Sequence, residues 1–188
     1  MILALDLGTH LGWAAVETND AEPLDLSTMI SGAFDLTPAR DDPPAKRPLT
    51  FLAELRRLLA VTKASRIAFE RIVNLRGLDA IRVYHQLETV LLLEAHGRGL
   101  PLIPVTPQAV KRAATGKASA DKTEIAVVAA RLWPNAQFTR GDDEIDARFV
   151  AIAAARGDVG TFTSRRKSAA RKSARREPAC PTRPSTGS

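Results

Sequence analysis

Apolar positions along this chain fall into two rhythms, short unbroken runs and spacings of three and four, and their alternation predicts an ordered set of strands and helices. Ile2 to Asp6 opens with four apolar residues, Leu7-Gly8-Thr9-His10 has the composition of a turn, and Gly12-Trp13-Ala14-Ala15-Val16 reads as a second strand, so the chain begins with a hairpin. A third strand is expected from Met29 to Phe34, and Thr37 to Pro48, with Asp41-Asp42-Pro43-Pro44, reads as a loop. Phe51, Leu52, Leu55, Leu58 and Leu59 then recur at helical spacing within Leu49 to Val61, followed by a strand from Arg66 to Glu70. The longest helical pattern runs from Leu78 to His96 and stops at Gly97-Arg98-Gly99. Beyond it lie a strand from Leu100 to Val105, a Thr106-Pro107 pair suited to starting a helix at Ala109 to Ala114, and helices over Ser119 to Leu132 and Asp142 to Ala155. Three strands able to form a meander, then alternating helices and strands, define an α/β domain with a mixed sheet.

Composition narrows this picture. With 188 residues, 45% hydrophobic and 26% charged, the chain suits one globular domain with a full core. No apolar stretch approaches the roughly 18 to 20 residues that span a bilayer, and Asp6 falls where a signal peptide requires apolar residues. The expectation is a cytoplasmic protein with no membrane partner. The single cysteine, Cys180, excludes an internal disulfide, and the three histidines show no zinc-like spacing.

Charge divides the chain. Residues 164–188 hold eight of the 27 Lys and Arg (Arg165, Arg166, Lys167, Arg171, Lys172, Arg175, Arg176 and Arg183) and one of the 21 acids, Glu177, a net of +7. The preceding residues net −1. That tail has no Leu, Ile, Val, Phe, Trp or Tyr with which to offset the entropy of ordering, so a folded domain over 1–158 and a disordered basic tail over 159–188 are expected. A basic arm on a near-neutral body attracts polyanions, nucleic acid above all, although a solvated tail without a partner has the same composition.

Four carboxylates stand out by position. Asp6 closes the run Ile-Leu-Ala-Leu-Asp and Glu70 closes Arg-Ile-Ala-Phe-Glu, so each puts a charge at the end of a core strand. Such a charge costs several kcal/mol unless it is paired or bound to a cation. Asp143 and Asp146, three apart near the start of the last helix, share one stripe beside the apolar face of Ile145, Phe149 and Ile152. If the strands carrying Asp6 and Glu70 are neighbours beneath that helix, four hard oxygen donors meet, a set suited to Mg²⁺ or Mn²⁺. Each acid also has a plain structural use: helix-end charges at Asp143 and Asp146, a turn brace at Asp6, a pair with Arg66 or Arg71 at Glu70. Spacing does not choose between Asp142 and Asp143.

The order of these motifs resembles a known family. ILALDLGTHLGWA is similar to the opening strand and turn of RuvC-type Holliday-junction resolvases, members of the RNase H-like nuclease superfamily. IAFERI resembles the strand bearing their glutamate, VTPQAVKRAATGKASADKTEIA their lysine-bearing segment, and GDDEIDARFVAIAAA their closing Asp-x-x-Asp helix. The resemblance runs from residue 1 to about 158 and implies an RNase H-like mixed five-stranded sheet, an antiparallel three-strand meander plus parallel strands, flanked by helices. It implies that Asp6, Glu70, Asp143 and Asp146 are metal ligands, that Lys111 and Lys122 lie near the scissile phosphate, and that the protein is a homodimer acting on branched DNA. Two departures widen the expected substrates. Arg71-Ile72-Val73-Asn74-Leu75 has no aromatic residue where the resolvases carry a wedge into the junction, and the stretch from about Asp20 to Pro48 is longer than in cellular members. The compact chain and basic tail are more similar to phage-type or prophage-type relatives.

The chemistry expected is in-line hydrolysis of a phosphodiester, with two ions about 3.5 to 4 Å apart activating water and stabilising the leaving oxygen. Lys122 and Lys111 are candidates for offsetting developing charge, and Arg76, Arg82, Arg112, Arg165, Arg166 and Lys167 for sequence-independent phosphate contacts. Thr115-Gly116-Lys117 is not a phosphate loop, because Lys111 stands where the first glycine belongs and Ala118 where Ser or Thr belongs. The Asp-Leu-Gly-Thr opening also occurs in sugar kinases, actin and chaperone ATPases, which need a second large domain that 188 residues do not supply; no nucleotide cofactor is expected. The first expectation is therefore a metal-dependent, structure-selective DNA endonuclease. Its rivals are a less selective nuclease on flaps or RNA-DNA hybrids and a non-catalytic nucleic-acid-binding protein.

Overall fold

A computed structural model describes residues 1–18, 24–72, 74–138 and 141–160. Five strands, β1 (Ile2–Asp6), β2 (His10–Val16), β3 (Ile30–Asp35), β4 (Arg66–Glu70) and β5 (Leu102–Val105), form one sheet in the order β3-β2-β1-β4-β5. β1 to β3 are the expected antiparallel meander, while β1, β4 and β5 run parallel. The helices are α1 (Lys46–Thr62), α2 (Leu78–Gly97), α3 (Pro107–Thr115), α4 (Lys122–Leu132) and α5 (Gly141–Ala155).

The two-residue period of the strands sorts their side chains to opposite faces. Leu3, Leu5, Ile67 and Phe69 join Phe51, Leu55 and Leu58 of α1 and Leu87 and Leu91 of α2 in one core layer. Ile2, Ala4, Ala14 and Ala68 join residues of α3, α4 and α5 in the other. By the same alternation Asp6 and Glu70 belong to the α5 side. On the α1/α2 side, Glu94 accepts from Arg56 at 2.9 and 3.0 Å and from Arg98 at 2.6 Å, tying the two helices together at the rim of their apolar contact.

Where the boundaries depart from expectation, end chemistry explains it. α1 begins at Lys46 rather than Leu49, because Pro48 in the first turn lacks only a donor that has no intrahelical acceptor there. α4 begins at Lys122 rather than Ser119: the Asp121 side chain accepts from the Glu124 N–H and the Glu124 side chain accepts from the Asp121 N–H, a reciprocal cap that stops the helix. Thr106 caps α3 as expected, accepting from Ala109 at 3.2 Å. The last helix is buried almost all round, from Glu144 through Ala154, rather than along one stripe. Its end leads to Val159, whose carbonyl accepts from Thr106 N–H at 3.0 Å, so the described fold reaches just past residue 158. Arg165, Arg166, Lys167 and the rest of the basic tail lie outside the described residues. Among those residues no helix is long and apolar enough to cross a membrane.

Candidate functional site

Adjacent parallel strands bring the first two carboxylates together. Leu5 of β1 is in register with Phe69 of β4, and Asp6 and Glu70 follow each by one residue on the same sheet edge. The partner of Asp6 across the hairpin is Gly12, and this glycine has a packing role: a Cβ there would overlap the backbone carbonyl of Asp143. Because the side chains at that point are small, with Ala4, Ala14 and Ala68 around Gly12, the first turn of α5 settles directly on β1 and β2 and brings Asp143 and Asp146 to the edge that holds Asp6 and Glu70.

The electrostatics express this convergence. Burial raises the Asp6 carboxyl well above the usual range, and Glu70, Asp146 and Asp143 push it further while Lys122 opposes them. Burial, then Asp146, lifts Glu70 to about 7, against the pull of Lys111. Asp146 rises to about 6 through burial, with Asp142 and Asp143 adding and Lys122 and Lys111 opposing. Asp143 is half-buried and acts on Asp6; Asp142 is exposed, with Lys122 Nζ at 3.7 Å from Oδ2, and faces outward along the rim. Geometry thus distinguishes two neighbours that spacing left equal.

The four acids stand at electrostatic rather than coordinating range, and among the described residues no three His, Cys, Asp or Glu side chains are drawn tightly enough to enclose one ion. Like charges in a poorly solvated pocket hold apart unless a cation offsets them. The donor set fits a hard divalent cation: carboxylate oxygens only, with Asp6, Glu70 and Asp146 held above the usual range by burial and by neighbouring acids. Ile125, Ala126 and Ile145 complete a shallow pocket with Lys122, Asp142 and Asp146 at its mouth.

Other candidates are placed as follows. Lys111 on α3 lies close enough to act on both Glu70 and Asp146. Arg112, one residue on, is bidentate to Asp158 at 2.5 and 3.0 Å and fastens the end of α5 to α3. Arg76 and Arg82 are exposed at the start of α2, with Arg82 at 3.9 Å from Asp79. Arg66, a possible structural partner for Glu70, instead donates to Thr18 at 2.9 Å.

Two features escaped the sequence. Tyr84, buried on α2, donates to the Glu70 carbonyl at 3.2 Å and accepts from Ile72 N–H at 3.3 Å, pinning the chain where it leaves β4. Glu144 and Arg148, 4% and 8% exposed, meet Ser31 of β3 in a buried polar cluster. No periodicity or motif signals either contact, because each joins residues far apart in the chain, although the charge of Arg148 within an apolar helix is an anomaly visible in the sequence.

A five-stranded mixed sheet in this order, with carboxylates of β1, β4 and a closing helix gathered on one edge, defines an RNase H-like protein with a candidate divalent-metal centre. A family model, crossover junction endodeoxyribonuclease RuvC, matches residues 2–154. The chain belongs to the RuvC family. Its relatives include the crossover junction endodeoxyribonucleases RuvC of Salinispora arenicola, 31% identical over 80% of this chain and 85% of that one, and of Moorella thermoacetica, 30% identical over 81% and 89%. Among solved structures, Thermus thermophilus RuvC in complex with Holliday junction substrate superimposes with a TM-score of 0.65 at 19% identity, covering 84% of this chain and 96% of that one. The yeast mitochondrial Holliday junction resolvase gives 0.59 at 16% identity over 84% and 78%. Family membership carries a structure-selective, junction-cleaving endonuclease activity dependent on a divalent metal.

Proposed function

We propose that this chain cleaves branched DNA at a site formed by Asp6, Glu70, Asp143 and Asp146, holding two Mg²⁺ or Mn²⁺ ions. The observation that carries this reading is the convergence of four carboxylates on one sheet edge: burial and neighbouring acids raise Asp6, Glu70 and Asp146, and Asp143 adds its charge beside Asp6 and Asp146. Asp6, Glu70, Asp143 and Asp146 would hold the divalent metal, which would supply activation of a water for in-line attack and stabilisation of the departing oxygen. The chain's own part is positional: β1 and β4 fix Asp6 and Glu70, and α5 fixes Asp143 and Asp146. Lys122 and Lys111 bring positive charge to the cluster and offset charge developing on the phosphate. Arg76, Arg82 and the tail residues Arg165, Arg166 and Lys167 serve as phosphate contacts that position the duplex. Arg112 joins them only by exchanging its bond to Asp158. The apolar side chains that α2 leaves exposed, Leu92 and Leu93, support a homodimer, and a cytoplasmic setting suits a DNA enzyme.

One observation favours a broader specificity. The segment from Arg71 to Leu75 carries no aromatic residue; Val73 in it lies outside the described residues. Flaps and RNA-DNA hybrids are therefore the second class of substrate.

A four-way junction, a flap, an RNA-DNA hybrid and linear duplex, each incubated with Mg²⁺ or Mn²⁺ beside an Asp146→Asn variant, test the proposal. Paired nicks near the branch point that vanish in the variant support it. Cutting of the hybrid or of every substrate moves the function to the second reading, and junction binding without cleavage in either ion contradicts both.

A further inference from the structure

The α5 helix must hold its two carboxylates in a fixed rotational phase, and at their end of the helix the strands directly beneath offer only small side chains to set it. Near the carboxylate end β1, β2 and β4 present Ala4, Gly12, Ala14 and Ala68, and the large Val105 stands to one side on β5, in register with Glu70. A carboxylate oxygen sits roughly 5–6 Å from a helix axis, so a 10° roll moves it by about 1 Å. Metal–ligand distances tolerate only about 0.2 Å, and a working constellation only about 0.5 Å.

A polar cluster one stripe around the helix supplies the missing key. Glu144 and Arg148, four residues apart, lie on the same face of α5. The Ser31 hydroxyl of β3 donates to Glu144 Oε1 and accepts from Arg148 Nε at 2.7 Å, linking sheet edge and helix through one oxygen. The Arg148 guanidinium also lies over the Trp133 ring at 4.7 Å and the Phe138 ring at 5.3 Å, which ties it to the end of α4 and the segment after it. Three directions of restraint thus meet on a helix whose next stripe carries Asp143 and Asp146. Buried charges of this kind are weak sources of stability compared with apolar residues of the same volume, and their best-attested use is to select one arrangement among several.

We propose that Ser31, Glu144 and Arg148 form a positioning latch that fixes the roll of α5, and with it the spacing of Asp143 and Asp146 relative to Asp6 and Glu70. They are positioning residues that touch neither metal nor DNA. The inference rests on the metal-site reading of the preceding subsection.

The test uses the full chain and Mn²⁺. Calorimetric titration measures Mn²⁺ uptake by the wild type, Ser31→Ala, Ser31→Thr and Arg148→Met, fluorescence anisotropy in EDTA measures junction affinity, and circular dichroism verifies folding. Ser31→Ala removes one oxygen and is expected to stay folded, to keep junction affinity within about twofold, and to weaken Mn²⁺ binding by 10-fold or more, the usual effect of losing a residue that orients metal ligands. Cleavage by that variant is expected to recover as Mn²⁺ is raised, and Ser31→Thr, which keeps the hydroxyl, to match the wild type throughout. Arg148→Met is expected to lose Mn²⁺ affinity even where its melting temperature is unchanged or higher. Wild-type Mn²⁺ affinity in Ser31→Ala, with or without a lower melting temperature, overturns the latch while leaving the metal site standing. Failure of the wild type itself to take up Mn²⁺ overturns the metal site and the latch together.

Discussion

The two faces of the sheet are built from different residues because they do different work. The α1/α2 face is large and apolar: Leu3, Leu5, Leu11, Leu55, Leu58, Ile67, Leu87 and Leu91 are each at most 2% exposed and are packed only by one another and their neighbours. The α5 face also buries an apolar core, around Phe149, Val150 and Ile152, but turns small and charged toward the ends of β1 and β4. Ala4, Gly12, Ala14 and Ala68 line it, Asp6 and Glu70 end it, and the helix above carries two more acids. Burying a leucine on the first face contributes roughly 2 kcal/mol or more, whereas each acid on the second face opposes folding until its charge is matched. Both faces bury an apolar core and contribute stability, and the chemistry is confined to one of them.

The largest contrast comes from variants on the two faces measured for both properties. Asp6→Asn is expected to abolish cleavage, by three orders of magnitude or more on the scale of removing a principal electrostatic group, while raising the melting temperature in EDTA. Leu55→Ala is expected to lower stability by about 3–5 kcal/mol, as for large core truncations, and to leave the cleavage rate per folded molecule unchanged. Melting curves and single-turnover rates on one set of samples provide both readouts. A stability loss in Asp6→Asn without metal would dissolve the contrast.

Gly12→Val comes next, since it breaks the close approach that joins the faces' functions. Its side chain collides with the Asp143 carbonyl, so α5 must lift. Overpacking of this kind costs about 1–3 kcal/mol, and displacement of Asp143 and Asp146 is expected to reduce cleavage at least 100-fold, more than the stability loss accounts for. Rates at a temperature well below the melting point separate the two effects.

The metal-free protein should also show an unusual pH dependence. A carboxyl whose folded pKa lies above its unfolded value takes up a proton on folding, so stability falls as pH rises between the two values. For Glu70 that window runs from 4.5 to about 7 and for Asp146 from 3.8 to about 6. Chemical denaturation in EDTA is therefore expected to give a lower free energy of unfolding at pH 8 than at pH 5, by at most about 3 kcal/mol from Glu70, and the Glu70→Gln and Asp146→Asn variants should each flatten the profile. Added Mg²⁺ should restore stability at pH 8, because it binds the folded state alone. The smallest effect expected is that of Arg112→Ala. Its pair with Asp158 is screened by solvent and adds little stability, and the carboxylate cluster does not depend on it.

How much of this was legible in the sequence follows from the range of each interaction. β1 and β4 are bounded as their apolar runs predict, and the strand period alone puts Asp6 and Glu70 on one face once the two are neighbours. The Asp143 and Asp146 pair was legible for the same reason, being periodic and local. Cap chemistry moved the starts of α1 and α4 by three residues, within the reach of a closer reading of Pro48, Asp121 and Glu124. What stayed hidden depends on contacts between distant residues. Arg112 reads as a phosphate contact until Asp158, 46 positions on, is seen to hold it. Ser31 meets Arg148 across 117 positions and Glu144 across 113, and neither local pattern nor spacing encodes that meeting. Gly12 is a strand residue of no evident purpose until a helix from the far end of the chain lies on it.

Anomalous scattering from a crystal of the protein grown with Mn²⁺ tests the convergence of the four carboxylates most directly. Manganese peaks bounded by Asp6, Glu70, Asp143 and Asp146, and absent from Asp146→Asn crystals grown the same way, are the expected result. Manganese bound elsewhere on the protein, or persisting at full occupancy in the variant, would contradict the metal centre on the α5 face.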